Sequence, residues 1–426
     1  MTGGRERGGR IVIVGAGQAG YQSAAFLRER GHAGPLTLIG DEGVLAYERP
    51  PLSKAYLTGE VGEEQLWLRP ETFYTRRAIE RVTGSVVALE RAARRVRLGD
   101  GRVYGYDHLV MATGARARTP AVPGAGLRGV HTLRTLADAA ALKTQLARAG
   151  RVVVVGAGFV GLEFAAAARQ SGCQVTVLEA RGRPLARTAS APVAAHVARL
   201  HEAHGSRLLF GQDIVRFHDG GGGRVAAVEL AGGRRLPADL VLAGVGATPC
   251  TAPAEAAGLR VEDGIVTDSW LLTSDPHISA IGDCALFPHP RAGTRLRVES
   301  VQNAVGHARL VADRLTGTIR TYDDLPWLWS TQFSTTLQIA GLGHRHDDEL
   351  VLGQDPDAFS VLLFRNGALT AVESVNRAAD HMAARRLLAG NIPLGRLEAA
   401  APGFTLHGHL TARTSHPTSR PVPAAA

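Results

Sequence analysis

Apolar and polar positions along this chain fall into two copies of one pattern. Residues 11–14 form a short unbroken apolar run, an alanine-rich stretch with helical spacing follows, and residues 36–39 form a second run. Unbroken apolar runs flanking a helix predict strands buried on both faces, the signature of a βαβ unit. The order recurs with the valines of 151–155, a helix through 162–169 and a closing run at 175–178. Elsewhere the period changes. Residues 82–110 alternate around the turn Gly99-Asp100-Gly101, and 206–246 read as a β-meander turning on the glycines after Asp219. A short strand is predicted at 278–281 and a helix opening at Val298 and running to Leu315. Strands about Leu337, Val351, 360–364 and 369–376 and a helix over 379–388 follow. From about Arg413 the chain turns rich in Ser, Thr, Pro and Ala and is expected to be disordered.

Glycine spacing gives both repeats a chemical meaning. Gly15, Gly17 and Gly20 follow the first run. The first allows a tight turn, the second lets backbone approach a pyrophosphate, and the third lets helix and strand pack closely. The helix N-terminus then faces the negative charge. Asp41, 21 residues past Gly20, is placed to accept a ribose hydroxyl. Gly156, Gly158 and Gly161 repeat the motif, and Glu179 stands 18 residues beyond. Two dinucleotide sites are therefore expected. Arg181 and Arg183 stand where they could meet a 2′-phosphate, but the Glu179 carboxylate would repel it, so NADH is expected rather than NADPH. Ala112-Thr113-Gly114 ends a strand in small residues that allow close passage beside a dinucleotide and a crossing to another domain. Gly244-Val-Gly246 mirrors it, so the second unit reads as an insertion. The expected order is 1–117, first segment of one nucleotide domain; 118–247, the inserted domain; 248–325, second segment of the first; 326–412, a C-terminal α+β domain; and 413–426, the tail.

Composition narrows the choice. An apolar fraction of 45% and a charged fraction of 20% fit a globular protein. No apolar run approaches the roughly 20 residues of a membrane span, and a cytoplasmic protein that binds no membrane is expected. Cys173, Cys250 and Cys284 lie far apart without a CxxC pair, which argues against a disulfide framework, a metal site or an iron–sulfur cluster. No cysteine lies between Asp41 and Lys54 either. Net charge is +9, and every basic residue except Lys54 and Lys143 is arginine. The arginines form no block, so an acidic protein is a better partner than nucleic acid. Where arginine is used almost everywhere, a lysine three positions after Arg49-Pro50-Pro51 suggests that a compact ammonium is wanted. Asp283 at a strand end suits ribitol hydroxyls of a flavin, or is a turn aspartate. A helix starting near Val301 would aim its positive end at a flavin's N1/O2 edge. Trp327 and Trp329 read as core packing or as a wall over a cofactor or acceptor.

The motifs VGAGQAG, RPPLSKAYL, MATGA, LRTL, VVGAGFVGLE, GVGATP, IGDCA, ESVQNA and PWLWSTQF together span about residues 10–410. In this combination the chain resembles the NADH-dependent, FAD-containing ferredoxin reductases that serve cytochrome P450 and Rieske-type oxygenases. The resemblance implies an α/β protein with two Rossmann-like dinucleotide-binding domains of glutathione-reductase type and a C-terminal α+β domain. It implies FAD held by Gly15, Gly17, Ala19, Gly20 and Asp41, with Arg49, Arg134 and the Ala112-Thr113-Gly114 crossover beside it. Val86 would meet adenine through its backbone, Asp283 the ribitol, and the Val301 amide the flavin O2 edge. Lys54 would lie near flavin N5 and pair across the flavin with Glu163, the two acting by charge. Gly156, Gly158, Gly161 and Glu179 would hold NADH, Gly246 and Glu299 would border the nicotinamide, and Trp329 would stand by the flavin. Electrons would pass to a [2Fe-2S] ferredoxin bound transiently by the basic surface, with a terminal oxygenase served indirectly and the protein a monomer or weak dimer. Relatives often carry Asp at Thr331 and Pro at Gln302, so the partner is less defined than the cofactors. Rubredoxin, quinone or oxygen as acceptor, and a flavin-dependent binding role of the apoptosis-inducing-factor type, are the alternatives.

Overall fold

The computed structural model describes residues 8–415. The first repeat folds as β1 (Ile11–Val14), α1 (Gln18–Glu29) and β2 (Leu36–Gly40), with the two strands paired in parallel. β1 is the middle of five parallel strands, flanked by His108–Met111 and then Ile278–Ala280 on one side, and by β2 and Glu80–Thr83 on the other. A central strand with both faces covered needs a continuous apolar run, and all four residues of β1 are buried. The alternating stretch after Glu80–Thr83 makes a three-stranded antiparallel sheet, and the chain re-enters the parallel sheet at His108.

The second repeat builds the same frame from β3 (Arg151–Val155), α2 (Phe159–Gln170) and β4 (Gln174–Glu179). β3 is again the middle of five parallel strands, between Leu240–Ala243 and β4. The meander expected over 206–246 is confined to its centre. Arg207–Phe210 is the parallel edge strand beside β4, only Ile214–Pro237 is an antiparallel meander, and Leu240–Ala243 rejoins the parallel sheet. Thr176, Val177, Leu178 and Glu179 are registered with Arg207 to Phe210, so the edge residues are recruited by a partner rather than by their own period.

The two crossovers meet. Ala115–Ala117 pairs antiparallel with Ala247–Pro249, and Arg118 and Cys250 donate across to Gly246 and Gly114 at 2.9 Å. Both connections between the nucleotide sheets are therefore one two-stranded ribbon.

Contacts divide the chain into two compact units, one of residues up to 180 with 205–324, the other of 181–204 with the chain from 325 onward. The second is a five-stranded antiparallel sheet of Trp327–Gln332, Thr335–Gly341, Ala368–Val375, Ala358–Arg365 and Asp348–Asp355. Trp327–Gln332, expected only as an aromatic stretch, is itself an edge strand. On one face, Ala340, Leu362, Phe364 and Val372 pack with Ala383, Leu387, Leu406 and Leu410 of two helices. α3 (Ala191–Ala203), within the expected nucleotide insertion in chain order, lies in this unit. The buried Glu373 carboxylate accepts from the Ser190 amide at 2.9 Å and its hydroxyl at 2.6 Å, just ahead of α3. Burial pushes Glu373 above the usual carboxylate range, and the two donors oppose it. The expected tail is helical through Ser415, in Leu406–Ser415, and 416–426 lies outside the described residues.

Candidate nucleotide and redox site

Both glycine motifs obey one steric rule. Gly15 has φ +106°, and a Cβ there would stand 2.1 Å from the Ala112 carbonyl oxygen. At Gly20 a Cβ would lie 1.8 Å from the Gly15 carbonyl. Gly156 repeats the first clash against Gly244 at 2.4 Å, and Gly161 the second against Gly156 at 2.1 Å. The middle glycines differ from these. A Cβ on Gly17 would meet only the Arg49 guanidinium, at 3.7 Å, and one on Gly158 would meet nothing within 4 Å. Outer glycines thus serve packing, and the middle ones leave open concavities at the N-termini of α1 and α2 that fit a pyrophosphate.

Polar side chains converge on the first concavity. Arg49 donates to the Arg134 carbonyl at 2.7 Å and to Glu42 at 2.5 Å, and its guanidinium lies 5.0 Å from the Tyr47 ring centre. Tyr47 donates to Glu42 and accepts from the Leu136 amide. Burial, with Glu42 opposite, pushes the Tyr47 phenol up. Arg134 donates to Asp283 at 2.6 Å and to the Ala115 carbonyl at 3.0 Å. Burial works against the Arg134 charge, but Asp283 overcomes it and holds the guanidinium above its ordinary value. Thr113 donates to the Cys250 carbonyl at 2.6 Å, and burial raises the nearby Cys250 thiol. Ala19 packs beside Gly282, where an added Cβ would lie 3.0 Å away. Asp41 is exposed at the end of β2, and Val86 opens the antiparallel sheet opposite Leu98. Val301 is the first residue of the helix Val301–Leu315, whose Ser300 cap accepts from the Asn303 amide at 3.1 Å. Glu299 pairs with Arg297, which also reaches the Asp283 carbonyl at 3.3 Å.

In the second unit of pattern, Glu179 accepts from the Ala157 amide at 2.9 Å, tying the acid to the glycine turn. Gly246, at φ +104°, lies on the crossover ribbon. Trp329 belongs to the other compact unit, half-buried, with its ring 5.9 Å from that of Trp327. The Arg385 guanidinium stands 3.9 Å over Trp327, so that tryptophan is packed in its own sheet edge.

The link between the cradles is a charge pair. Lys54 Nζ lies 3.0 Å from Glu163 Oε1, with side-chain exposures of 20% and 7%. The two were expected to pair across a flavin, and they meet directly. Lys54 follows the turn Pro50–Ser53, and Glu163 is in α2 just past Gly161. Ser53, Glu42 and Tyr47 went unrecognised in the sequence. The first has no periodic signal and is identified only by its 2.5 Å hydrogen bond to Glu163, 110 positions away.

Two cradles of this kind, bridged by a lysine–glutamate pair, define a two-dinucleotide flavoprotein reductase. The pyridine nucleotide-disulphide oxidoreductase family matches residues 9–308, and the reductase C-terminal family matches 327–410. Rhodocoxin reductase of Rhodococcus erythropolis is 46% identical over 93% of this chain and 93% of its own length. Putidaredoxin reductase of Pseudomonas putida is 39% identical over 90% and 92%. The crystal structure of the ferredoxin reductase for the CYP199A2 system of Rhodopseudomonas palustris superposes with a TM-score of 0.91, at 44% identity over 94% of this chain and 99% of that one. The chain belongs to the family of NADH-dependent, FAD-containing ferredoxin and rubredoxin reductases. It is an NAD(P)H-dependent flavoprotein oxidoreductase of the ferredoxin reductase type, with FAD and NADH as cofactors. Among the described residues, no helix is long and apolar enough to cross a membrane, and no group of His, Cys, Asp or Glu is arranged to hold a metal.

Proposed function

We propose that the first cradle holds FAD and the second NADH, and that electrons leave singly to a [2Fe-2S] ferredoxin serving a cytochrome P450 or Rieske-type oxygenase. The observation that carries this reading is the 3.0 Å Lys54–Glu163 pair, which joins the loop of one cradle to the helix of the other. Bound FAD supplies the chemistry, since it takes an electron pair from NADH and gives electrons up one at a time. The protein orients and charges the site. Gly15, Gly17, Ala19, Gly20 and Asp41 hold the pyrophosphate and adenosine ribose, Val86 borders adenine, and Arg49, Arg134, Asp283 and Ala112 to Gly114 line the rest. Lys54 and the Val301 end of its helix favour negative charge on the isoalloxazine. Gly156, Gly158, Gly161 and Glu179 hold NADH, with Gly246 and Glu299 towards the nicotinamide. No residue is required as an obligatory proton donor, so Lys54 and Glu163 act by charge.

The net charge of +9 suits transient capture of an acidic ferredoxin, faster at low ionic strength. Three unpaired cysteines suit a reducing cytoplasm. The test is anaerobic titration of the yellow protein with NADH, followed through the visible spectrum, then turnover with ferredoxins, rubredoxin and quinone. Bleaching by about one equivalent of NADH per FAD and fastest turnover with a ferredoxin are expected. A colourless protein that takes up no FAD, or faster turnover with rubredoxin or quinone, would overturn the assignment.

A further inference from the structure

We infer that Ser53 is a positioning residue for the Lys54–Glu163 pair, holding one carboxylate oxygen so that the other faces the lysine. The inference rests on the role proposed above for that pair. Consecutive residues grip one carboxylate: Ser53 Oγ donates to Glu163 Oε2 at 2.5 Å, and Lys54 Nζ reaches Oε1 at 3.0 Å. The other acceptor near the hydroxyl, the Pro50 carbonyl, lies at 3.4 Å, too far to compete well. Ser53 and Glu163 are both buried, so water cannot easily replace the hydroxyl.

The geometry explains why one contact matters for another. Without the hydroxyl the Glu163 carboxylate is freer to turn about its last torsion, which is broad and roughly two-fold. A half-turn only exchanges its oxygens, but intermediate angles take both away from Lys54, and the hydroxyl narrows that range. Ser53 ends a turn that begins Pro50-Pro51, so its oxygen is fixed to the FAD-side loop before NADH arrives. The serine therefore acts through Glu163 on the ammonium and needs no contact with either cofactor.

Only two lysines occur in the chain, which makes the ammonium directly observable. Lysine labelled with ¹³C at Cε gives two side-chain methylene signals, Lys54 and Lys143, in the FAD-loaded protein without NADH. In Ser53→Ala the Lys54 signal should move towards its position in Glu163→Gln, with Lys143 unmoved. FAD content should stay full and Ser53→Thr should restore the signal. Stopped-flow mixing should show the limiting rate of flavin reduction falling about tenfold, the scale of a hydrogen bond to a charged group, with NADH affinity unchanged. A Lys54 signal and reduction rate as in the parent protein would overturn the role of Ser53. Normal reduction in Glu163→Gln would instead sink the reading of the pair itself, so the two failures are distinguishable.

Discussion

The two cradles share a backbone and differ in what surrounds it. In each, two glycines are demanded by neighbouring carbonyls and the middle one opens onto space. Around the first, Glu42, Tyr47, Arg49, Arg134 and Asp283 form a continuous set of hydrogen bonds. Around the second, Glu179 accepts from the Ala157 amide at the glycine turn. A cofactor that stays bound through many turnovers profits from a prebuilt polar frame, whereas one that must leave each cycle does not. On the proposed assignment, the glycine motif specifies a pyrophosphate site and the side chains around it set how long the ligand stays.

The sharpest way to break this comparison is to exchange which glycine is altered. Gly20→Val and Gly161→Val should each cost roughly 4 kcal/mol or more, because the clash is with backbone that cannot step aside. Little folded protein is expected from either, as read by thermal melting. Gly17→Ala and Gly158→Ala meet no backbone within 4 Å and should fold. The first should be colourless because its methyl group occupies the pyrophosphate's place. The second should be yellow but reduced only at raised NADH. If Gly17→Ala retained FAD as firmly as the parent, the open concavity would not be the phosphate site.

The halves should also part on acidification. His307 and His108, both buried and both supporting the first sheet, are pushed down to about 3 by burial. His307 accepts from the Gly282 amide at 3.1 Å, next to Asp283. Their folded values lie below the unfolded one, so between about pH 6.5 and pH 3 the unfolded chain binds more protons. Stability from these groups is complete above about 6.5 and is lost as pH falls, by about 4 kcal/mol for the two together at about pH 5. FAD fluorescence released on acidification should rise before the second sheet melts. His307→Asn keeps an acceptor near Gly282 and should flatten the dependence while lowering the melting point at neutral pH. An unchanged slope would remove His307 from this account.

The parts legible in the sequence are those dictated by local sterics and period. β1 and β3 carry unbroken apolar runs because central parallel strands have no wet face, and the glycines follow because no other residue fits. Asp41 and Glu179 follow from the length of the helix and the second strand. Arg207–Phe210 was misread because an edge strand of a parallel sheet carries no period that separates it from the adjoining meander. Trp327–Gln332 was hidden by its aromatics, which suit a pleated edge as well as a ligand wall. Ser53 and Glu42 were missed for a different reason. Their roles are created by partners brought together in three dimensions, and nothing in their own neighbourhood announces them.

The gentlest probe of the comparison is Glu179, the acid of the second cradle. Glu179→Ala removes both a charged acceptor for ribose hydroxyls and the tie to the Ala157 amide. The Michaelis constant for NADH should rise about tenfold, the scale of charge-assisted hydrogen bonds, with FAD content unchanged. Glu179→Gln keeps an oxygen for the amide and should cost less, so the difference between the two variants measures how far the carboxylate organises the turn. Neither should gain NADPH activity. Arg183, one of the two residues, with Arg181, that sequence order offers to a 2′-phosphate, donates to the carbonyls of Ala189 at 2.8 Å, Ser190 at 3.3 Å and Ala186 at 3.5 Å. A guanidinium that holds three carbonyls ahead of α3 must break them to bind phosphate, which offsets much of what the new contact would contribute. Efficient NADPH use by Glu179→Ala would show that the carboxylate alone had enforced the choice and that those carbonyl bonds count for little.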